Sequence, residues 1–247
     1  FQHLTCLTSP CTLVASSRRA TACSLRLREA ACVAPGWQHS AENKMSVEKL
    51  EFLIHFLCPY SQRVLYAAAF KGIESTITEV DLANKADWLL EVNPLGSAPA
   101  AKAHLADGRT YNLTESTTIT HYLDSFPGKS MFPAEADGSV LPVTRAVCDG
   151  RIHLYAGRFG LAYNFYMNEA TAEHVQKFKD ILREINTRLS SGFFMDDVFG
   201  RSEITFTDIM LLPHLERFVA YQDGPLSPVW EGEDFSNILR WYNRIFE

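Results

Sequence analysis

Cysteine is scarce in most of this chain. Of its six cysteines, Cys6, Cys11, Cys23 and Cys32 fall within residues 1–44, and only Cys58 and Cys148 lie beyond. Two thiols do not make a disulfide framework, so a reducing compartment is expected, the cytoplasm by default. No stretch of 18 apolar residues occurs, so no plain helix is expected to span a membrane. Positive charge is also short: 23 Lys and Arg stand against 29 Asp and Glu, a net charge of −6. The imbalance is uneven, +3 over residues 1–44 and −9 over the remainder, and an acidic body argues against nucleic acid as a partner. The eight histidines show no His-x-x-x-His spacing, so no metal is expected. Gly157-Arg158-Phe159-Gly160 lacks the flanks of a phosphate-binding loop. Asn112-Leu113-Thr114 matches a glycosylation acceptor, a chance match in a reducing compartment.

What remains is an ordinary globular composition, 47% hydrophobic and 21% charged, with 247 residues for one large domain or two small ones. Residues 1–44 differ from the rest. They are rich in Ser, Thr, Ala and Arg, poor in acid, and hold no helical or strand period. A disordered leader is expected there. It reads either as an organelle transit peptide, which would direct the protein to a plastid or mitochondrion, or as sequence upstream of a natural start at Met45-Ser46-Val47. The apolar run Ala30 to Ala34 is too short for a secretory signal.

From Leu50 to Asp124 the periods alternate. A strand (Leu50–Phe56), a helix (Tyr60–Lys71), a second strand (Thr76–Val80) and a short helix (Lys85–Val92) come first. Two strands then flank the hairpin signal Asp107-Gly108, Ala100–Leu105 and Thr110–Leu113, and a helix follows from Thr114. This βαβ, helix, ββ, helix order is thioredoxin-like and defines an α/β domain over 45–129. Pro127, Gly128, Pro133 and Gly138 mark a linker. Residues 134–247 show no strand pattern and read as an all-helical domain. Val175, Phe178, Ile181, Leu182, Ile185 and Leu189 make an amphipathic helix. Ile204-Thr205-Phe206-Thr207-Asp208-Ile209 reads as a capped helix start, with a kink expected at Pro213. The chain ends at Phe246-Glu247 with no capping signal, which suggests that it continues further.

Leu57-Cys58-Pro59-Tyr60-Ser61-Gln62-Arg63 states the chemistry. An apolar strand leads into it, and Pro59 suits the first position of the helix that leaves it. Cys58 therefore belongs at a helix N-terminus, where unpaired N–H groups and the helix dipole favour thiolate over thiol. Its bland alternative is a small buried hydrophobe. Cys148, with no strand before it and no Pro after it, reads as a buried core residue. Tyr155, Phe159, Tyr163, Phe165 and Tyr166 read as core packing or as the lining of an apolar pocket.

These residues resemble the cytosolic glutathione transferase family, and within it the cysteine-type members: the omega and lambda classes, plant dehydroascorbate reductases and the chloride intracellular channel proteins. The omega class fits best. Besides the cysteine turn, the resemblance rests on Lys71-Gly72-Ile73, Asp81-Leu82, Asn84-Lys85, Trp88, Asn93-Pro94-Leu95-Gly96, Thr114-Glu115-Ser116, Tyr122-Leu123-Asp124 and Pro127-Gly128-Lys129, and, less closely, on Thr205 to Asp208. It departs at Ser97-Ala98-Pro99-Ala100, where relatives carry a bulky β-branched residue before the proline, and in the lean strand with Ala100, Ala101 and Ala103.

The resemblance implies the glutathione transferase fold and a glutathione-dependent thiol transferase or dehydroascorbate reductase. Cys58 would be its nucleophile, with glutathione as co-substrate and no metal. With Ser61 where a resolving cysteine would stand, the cycle would be monothiol. Pro99 would be cis, and the backbone of Ala98 would pair with the cysteinyl unit of glutathione. Ser116 and the helix start would take the γ-glutamyl carboxylate, Glu115 the ammonium, and Lys85 the glycine carboxylate. Partners would be glutathione and small oxidised or electrophilic molecules, with room for a homodimer. Two other readings stay open: a non-catalytic interaction module on the same fold, and a membrane-inserting, channel-like relative. The seven apolar residues from Val64 to Phe70 count against the second.

Overall fold

The computed structural model describes residues 47–247. The expectations for the leader therefore lie outside the described residues. Four strands form one sheet in the order β2-β1-β3-β4, with β1 (Val47–Ile54), β2 (Thr76–Glu79), β3 (Ala100–Leu105) and β4 (Thr110–Thr114). β1 pairs β2 in parallel across α1 (Pro59–Lys71), while β3 is antiparallel to both β1 and β4. This is the expected thioredoxin-like arrangement. The short α2 (Asp87–Val92) precedes β3, and α3 (Ser116–Asp124) follows β4.

The core of this domain collects Phe52, Leu53, Val64, Ala67, Ala100, Ala101, Ile119 and Leu123, all buried. The lean strand β3 follows from register. Ala101 stands opposite Phe52 on β1, so the bulk on that face comes from the neighbouring strand, and a large residue at 101 would overpack it. α1 ends at Gly72, whose φ of 64° is left-handed and whose N–H bonds back to the last turn.

The remaining elements are helical: α4 (Pro142–Asn168), α5 (Ala172–Arg188), a 3-10 turn (Leu189–Ser191), α6 (Asp196–Phe199), α7 (Phe206–Ala220), α8 (Ser227–Trp230) and α9 (Ser236–Ile245). Aromatic rings fill the space between them. Phe178 of α5 meets Phe159 and Phe218, and Phe218 stacks on Trp230 at 4.3 Å. Of the expected aromatic cluster, Tyr155, Phe159 and Tyr166 are buried in this core, whereas Phe165 is exposed. Cys148 is fully buried, and burial pushes its thiol up to about 11.

α7 starts with the expected capping box: Thr205 and Asp208 cap each other's backbone. Asp208 does more. Its fully buried carboxylate accepts from the Thr205 N–H and hydroxyl, from the Phe194 N–H at 3.0 Å, and from the Trp241 indole N–H at 2.8 Å. Three segments of the helical domain thus end on one side chain. Asp208→Ala would orphan these buried donors, each worth about 1–3 kcal/mol when left unmade. A loss of about 3 kcal/mol, and a fall in Tm of roughly 10 °C, is expected by calorimetry. A fall below about 3 °C would mean that water replaces the carboxylate without cost.

Candidate active site

Register brings the site together. Ala100, the first residue of β3, lies between Leu53 near the end of β1 and Thr114 at the end of β4. The loop leaving β1, the loop entering β3 and the start of α3 therefore meet at one end of the sheet. Cys58 lies in the first, Ala98-Pro99 in the second and Glu115-Ser116 in the third.

The cysteine turn is tightly held. The Cys58 N–H donates to the His55 carbonyl at 2.9 Å, and the Leu57 N–H to His55 Nδ1. The His55 N–H donates to Ser61 Oγ, and Gln62 Nε2 to the Phe56 carbonyl. Position 61 is thus a fully buried strut of the turn rather than a surface residue of the helix. From the helical domain, Arg217 Nη2 donates to the Leu57 carbonyl and Nη1 to Gln62 Oε1, both at 2.6 Å. The strand stops at Ile54, two residues before the apolar run suggests, because residues 55–58 are needed for this turn.

Cys58 is the N-cap of α1, with Pro59 just inside the helix and no side chain capping the start. Its thiol is partly exposed and lies 3.6 Å from the Ala98 carbonyl. The Ala98–Pro99 peptide bond is cis. Asn93, itself buried, pins the loop before it: its Nδ2 donates to the Ser97 carbonyl at 2.8 Å, and its Oδ1 accepts from Leu95 N–H. Lys85 is exposed and donates to the Leu95 carbonyl at 3.3 Å. Its stem crosses Gly96, where a Cβ would come within 2.7 Å of Lys85 Cδ and where φ is +57°. Glycine meets both conditions without a shift of Lys85 or Leu90.

The third loop corrects one expectation. The helix begins at Ser116, not Thr114, because Thr114 is still paired in β4 and Glu115 turns the chain with φ 69° and ψ 119°. A non-glycine residue in that region stores strain of about 1–3 kcal/mol, which tends to persist where a site needs it. Glu115 is exposed, no side chain caps α3, and Ser116 is buried at its first turn. Uncapped N–H groups at two helix starts thus open toward the same end of the sheet.

Behind Ser116 stands Arg63, the last residue of the cysteine motif, for which the motif alone indicates no role. It is buried, 4% exposed. Nε donates to the Met210 carbonyl at 2.9 Å, Nη1 to Ser116 Oγ at 3.3 Å, and Nη2 lies 3.0 Å from His214 Nε2. Its guanidinium also sits 4.8 Å from the Tyr60 ring centroid. Burial pulls its pKa down to about 10, opposed by Tyr60 and Cys58. His214 is pushed down to about 3 by burial, with Arg63 and then Arg217 adding to the shift. It is therefore a neutral acceptor at physiological pH. The signal for Arg63 was present: it interrupts an apolar helix face shared with Val64 and Ala67. Its partners on α7 lie about 150 positions away, and no local pattern connects them.

Residues 57–125 match the family model of the glutathione S-transferase N-terminal domain, and 168–244 that of its C-terminal domain, together more than half of the chain. The chain belongs to the glutathione S-transferase family. It is 26% identical over 168 residues to glutathione S-transferase omega-1 of Rattus norvegicus, covering 67% of this chain and 65% of that protein. The chain thus spans just under two thirds of this relative's length. To the probable glutathione transferase omega-2 of Caenorhabditis briggsae it is 27% identical over 199 residues, 76% of this chain and 73% of that one. Among solved structures, the rice transferase GST1 in complex with glutathione superposes with a TM-score of 0.64 at 25% identity, covering 82% and 87% of the two chains. Glutathione transferase Omega 1C of Trametes versicolor does so with 0.65 at 22% identity, covering 81% and 87%. The glutathione transferase fold expected from the sequence, a thioredoxin-like α/β domain followed by a helical one, is the fold observed. Among the described residues no helix is long and apolar enough to cross a membrane, and no cluster of metal-ligating side chains occurs.

Proposed function

We propose that this protein is a glutathione-dependent thiol transferase, with dehydroascorbate reductase activity by the same chemistry, acting in a reducing compartment such as the cytoplasm. The observation that carries the reading is the Cys58 thiol at an uncapped helix start, 3.6 Å from the Ala98 carbonyl beside cis-Pro99. The rice relative solved with glutathione supports glutathione as the co-substrate.

The Cys58 thiolate attacks the glutathionyl sulfur of a mixed disulfide. The S–S bond breaks, the partner leaves as a thiolate and takes a proton, and Cys58 holds glutathione as a disulfide. A second glutathione thiolate then attacks the bound glutathionyl sulfur. Oxidised glutathione leaves and the Cys58 thiolate returns. Per cycle, one mixed disulfide and one free glutathione give the partner thiol and oxidised glutathione. Dehydroascorbate has no disulfide. The Cys58 thiolate would add to a carbonyl carbon, and a glutathione thiolate would attack the Cys58 sulfur and expel ascorbate. The resulting Cys58–glutathione disulfide would be cleared by a second glutathione, so that two glutathione molecules supply the two electrons and two protons. Among the described residues no second thiol takes part, because Ser61 stands in the turn and Cys148 is buried.

Glutathione would lie along the three loops. Its cysteinyl backbone pairs with Ala98 as a strand pairs with an edge. Its γ-glutamyl carboxylate meets the Ser116 hydroxyl and the α3 N–H groups, its ammonium faces Glu115, and its glycine carboxylate faces Lys85. Ser116→Ala removes one hydrogen bond to a charged group, worth about 1.5–3 kcal/mol. Glutathione affinity should then fall at least about tenfold by titration calorimetry. Unchanged affinity would reduce this helix start to plain structure.

A further inference from the structure

Arg63 has no carboxylate. Its hydrogen-bond partners are a backbone carbonyl, a hydroxyl and a neutral imidazole, and none of the described ion pairs includes it. Burying a charge is costly unless an opposite charge meets it. Among the described residues no carboxylate meets this buried cation, and the opposing charges that act on it come only from Tyr60 and Cys58.

The direction of one bond matters. A guanidinium only donates, so Ser116 Oγ must accept from Arg63. That bond occupies a lone pair and leaves the hydroxyl proton to be donated elsewhere. No described protein group accepts it. A ligand carboxylate at the α3 start would take this proton and, through one intervening oxygen, face the guanidinium charge. Three features converge on one anion: the uncapped helix start, the hydroxyl oriented by Arg63, and a buried guanidinium that no carboxylate meets.

We propose that Arg63 is the positioning residue of the γ-glutamyl subsite, fixing the Ser116 hydroxyl as a donor and supplying the positive charge that selects a carboxylate there. The inference rests on the glutathione reading and adds a residue to it. Arg63 also bonds Met210, so the helical domain takes part in holding this subsite.

The test compares glutathione with cysteinylglycine, which lacks the γ-glutamyl unit, by titration calorimetry. The proteins are the unmutated chain, Arg63→Gln, Arg63→Lys, Ser116→Ala and the double variant Arg63→Gln/Ser116→Ala. Arg63→Gln should weaken glutathione about tenfold or more, as Ser116→Ala does, and leave cysteinylglycine within about twofold. The double variant should be no more than about twofold weaker than the worse single one, since both act on one carboxylate. Arg63→Lys keeps the charge and one donor, so it should recover part of the preference. It also carries the test if Arg63→Gln fails to fold. Equal weakening of both ligands, or additive losses, would make Arg63 a merely structural residue and overturn the inference while the glutathione reading stands. An unmutated protein that binds neither ligand would overturn both.

Discussion

Cys58→Ser should reduce glutathione-dependent disulfide exchange to the uncatalysed rate. Transfer requires a sulfur–sulfur bond between protein and glutathione, and a serine hydroxyl neither ionises near neutral pH nor forms one. The substitution removes little else. Cys58 uses its thiol for a single long contact with the Ala98 carbonyl, and the turn is held by backbone groups, His55, Ser61, Gln62 and Arg217. The variant should therefore fold and bind glutathione while losing turnover. Cys148→Ser should keep most of the activity, because that thiol is fully buried and raised to about 11. Rates with a glutathione mixed disulfide, with dehydroascorbate and with an aromatic halide separate the outcomes. Exchange that survives in Cys58→Ser, or equal dependence on both cysteines, would contradict the mechanism. Absence of exchange in the unmutated protein would favour the non-catalytic module.

Acid should unfold the protein partly through His214. Its folded pKa is pushed down from 6.5 to about 3, chiefly by burial and then by Arg63 and Arg217. The unfolded chain binds a proton at this residue below pH 6.5, whereas the folded chain refuses it until about 3. The stability this residue contributes is thus complete above about pH 6.5 and is lost as pH falls through that interval, at about 1.4 kcal/mol per unit. Summed over the interval, the loss is of the order of the whole stability of a marginal domain. Tyr60, Arg63 and Arg217 are the ionisable groups that face this imidazole. His214→Gln keeps a neutral acceptor but cannot titrate. In denaturant melts between pH 7 and pH 4, its stability relative to the unmutated protein should rise by about 1.4 kcal/mol for each unit below 6.5. Parallel pH curves for the two proteins would show that water reaches the ring.

The legible parts of this molecule are those written in local physics. The capped start at Thr205, the stop at Gly72, the Asp107-Gly108 hairpin and the alternation of β1 and α1 each depend on neighbours in sequence, and each lies within a few residues of its expected place. The boundary at Thr114 was misplaced because two strong local signals overlap: a β-branched residue fits the end of β4 as well as it fits a helix cap. The strained Glu115 between them resolves the overlap, and no propensity anticipates it. Of the site, Cys58, Ala98-Pro99 and Glu115-Ser116 were readable as motifs, and register places them at one end of the sheet. What the sequence concealed are the contacts that α7 makes with the cysteine helix. Arg63 to Met210, Arg217 to Leu57 and Tyr66 to Glu216 each join residues about 150 positions apart or more. Such pairs have no period and no spacing.

If Cys58 alone carries glutathione between donor and acceptor, its mixed disulfide can be trapped. The protein is treated briefly with oxidised glutathione, digested without reductant and mapped by mass spectrometry, before and after reduced glutathione is added. One glutathione, added as a disulfide, is expected on the peptide bearing Cys58, and it should be lost when reduced glutathione follows. An unmodified Cys58, or an adduct there that reduced glutathione does not remove, would contradict this mechanism.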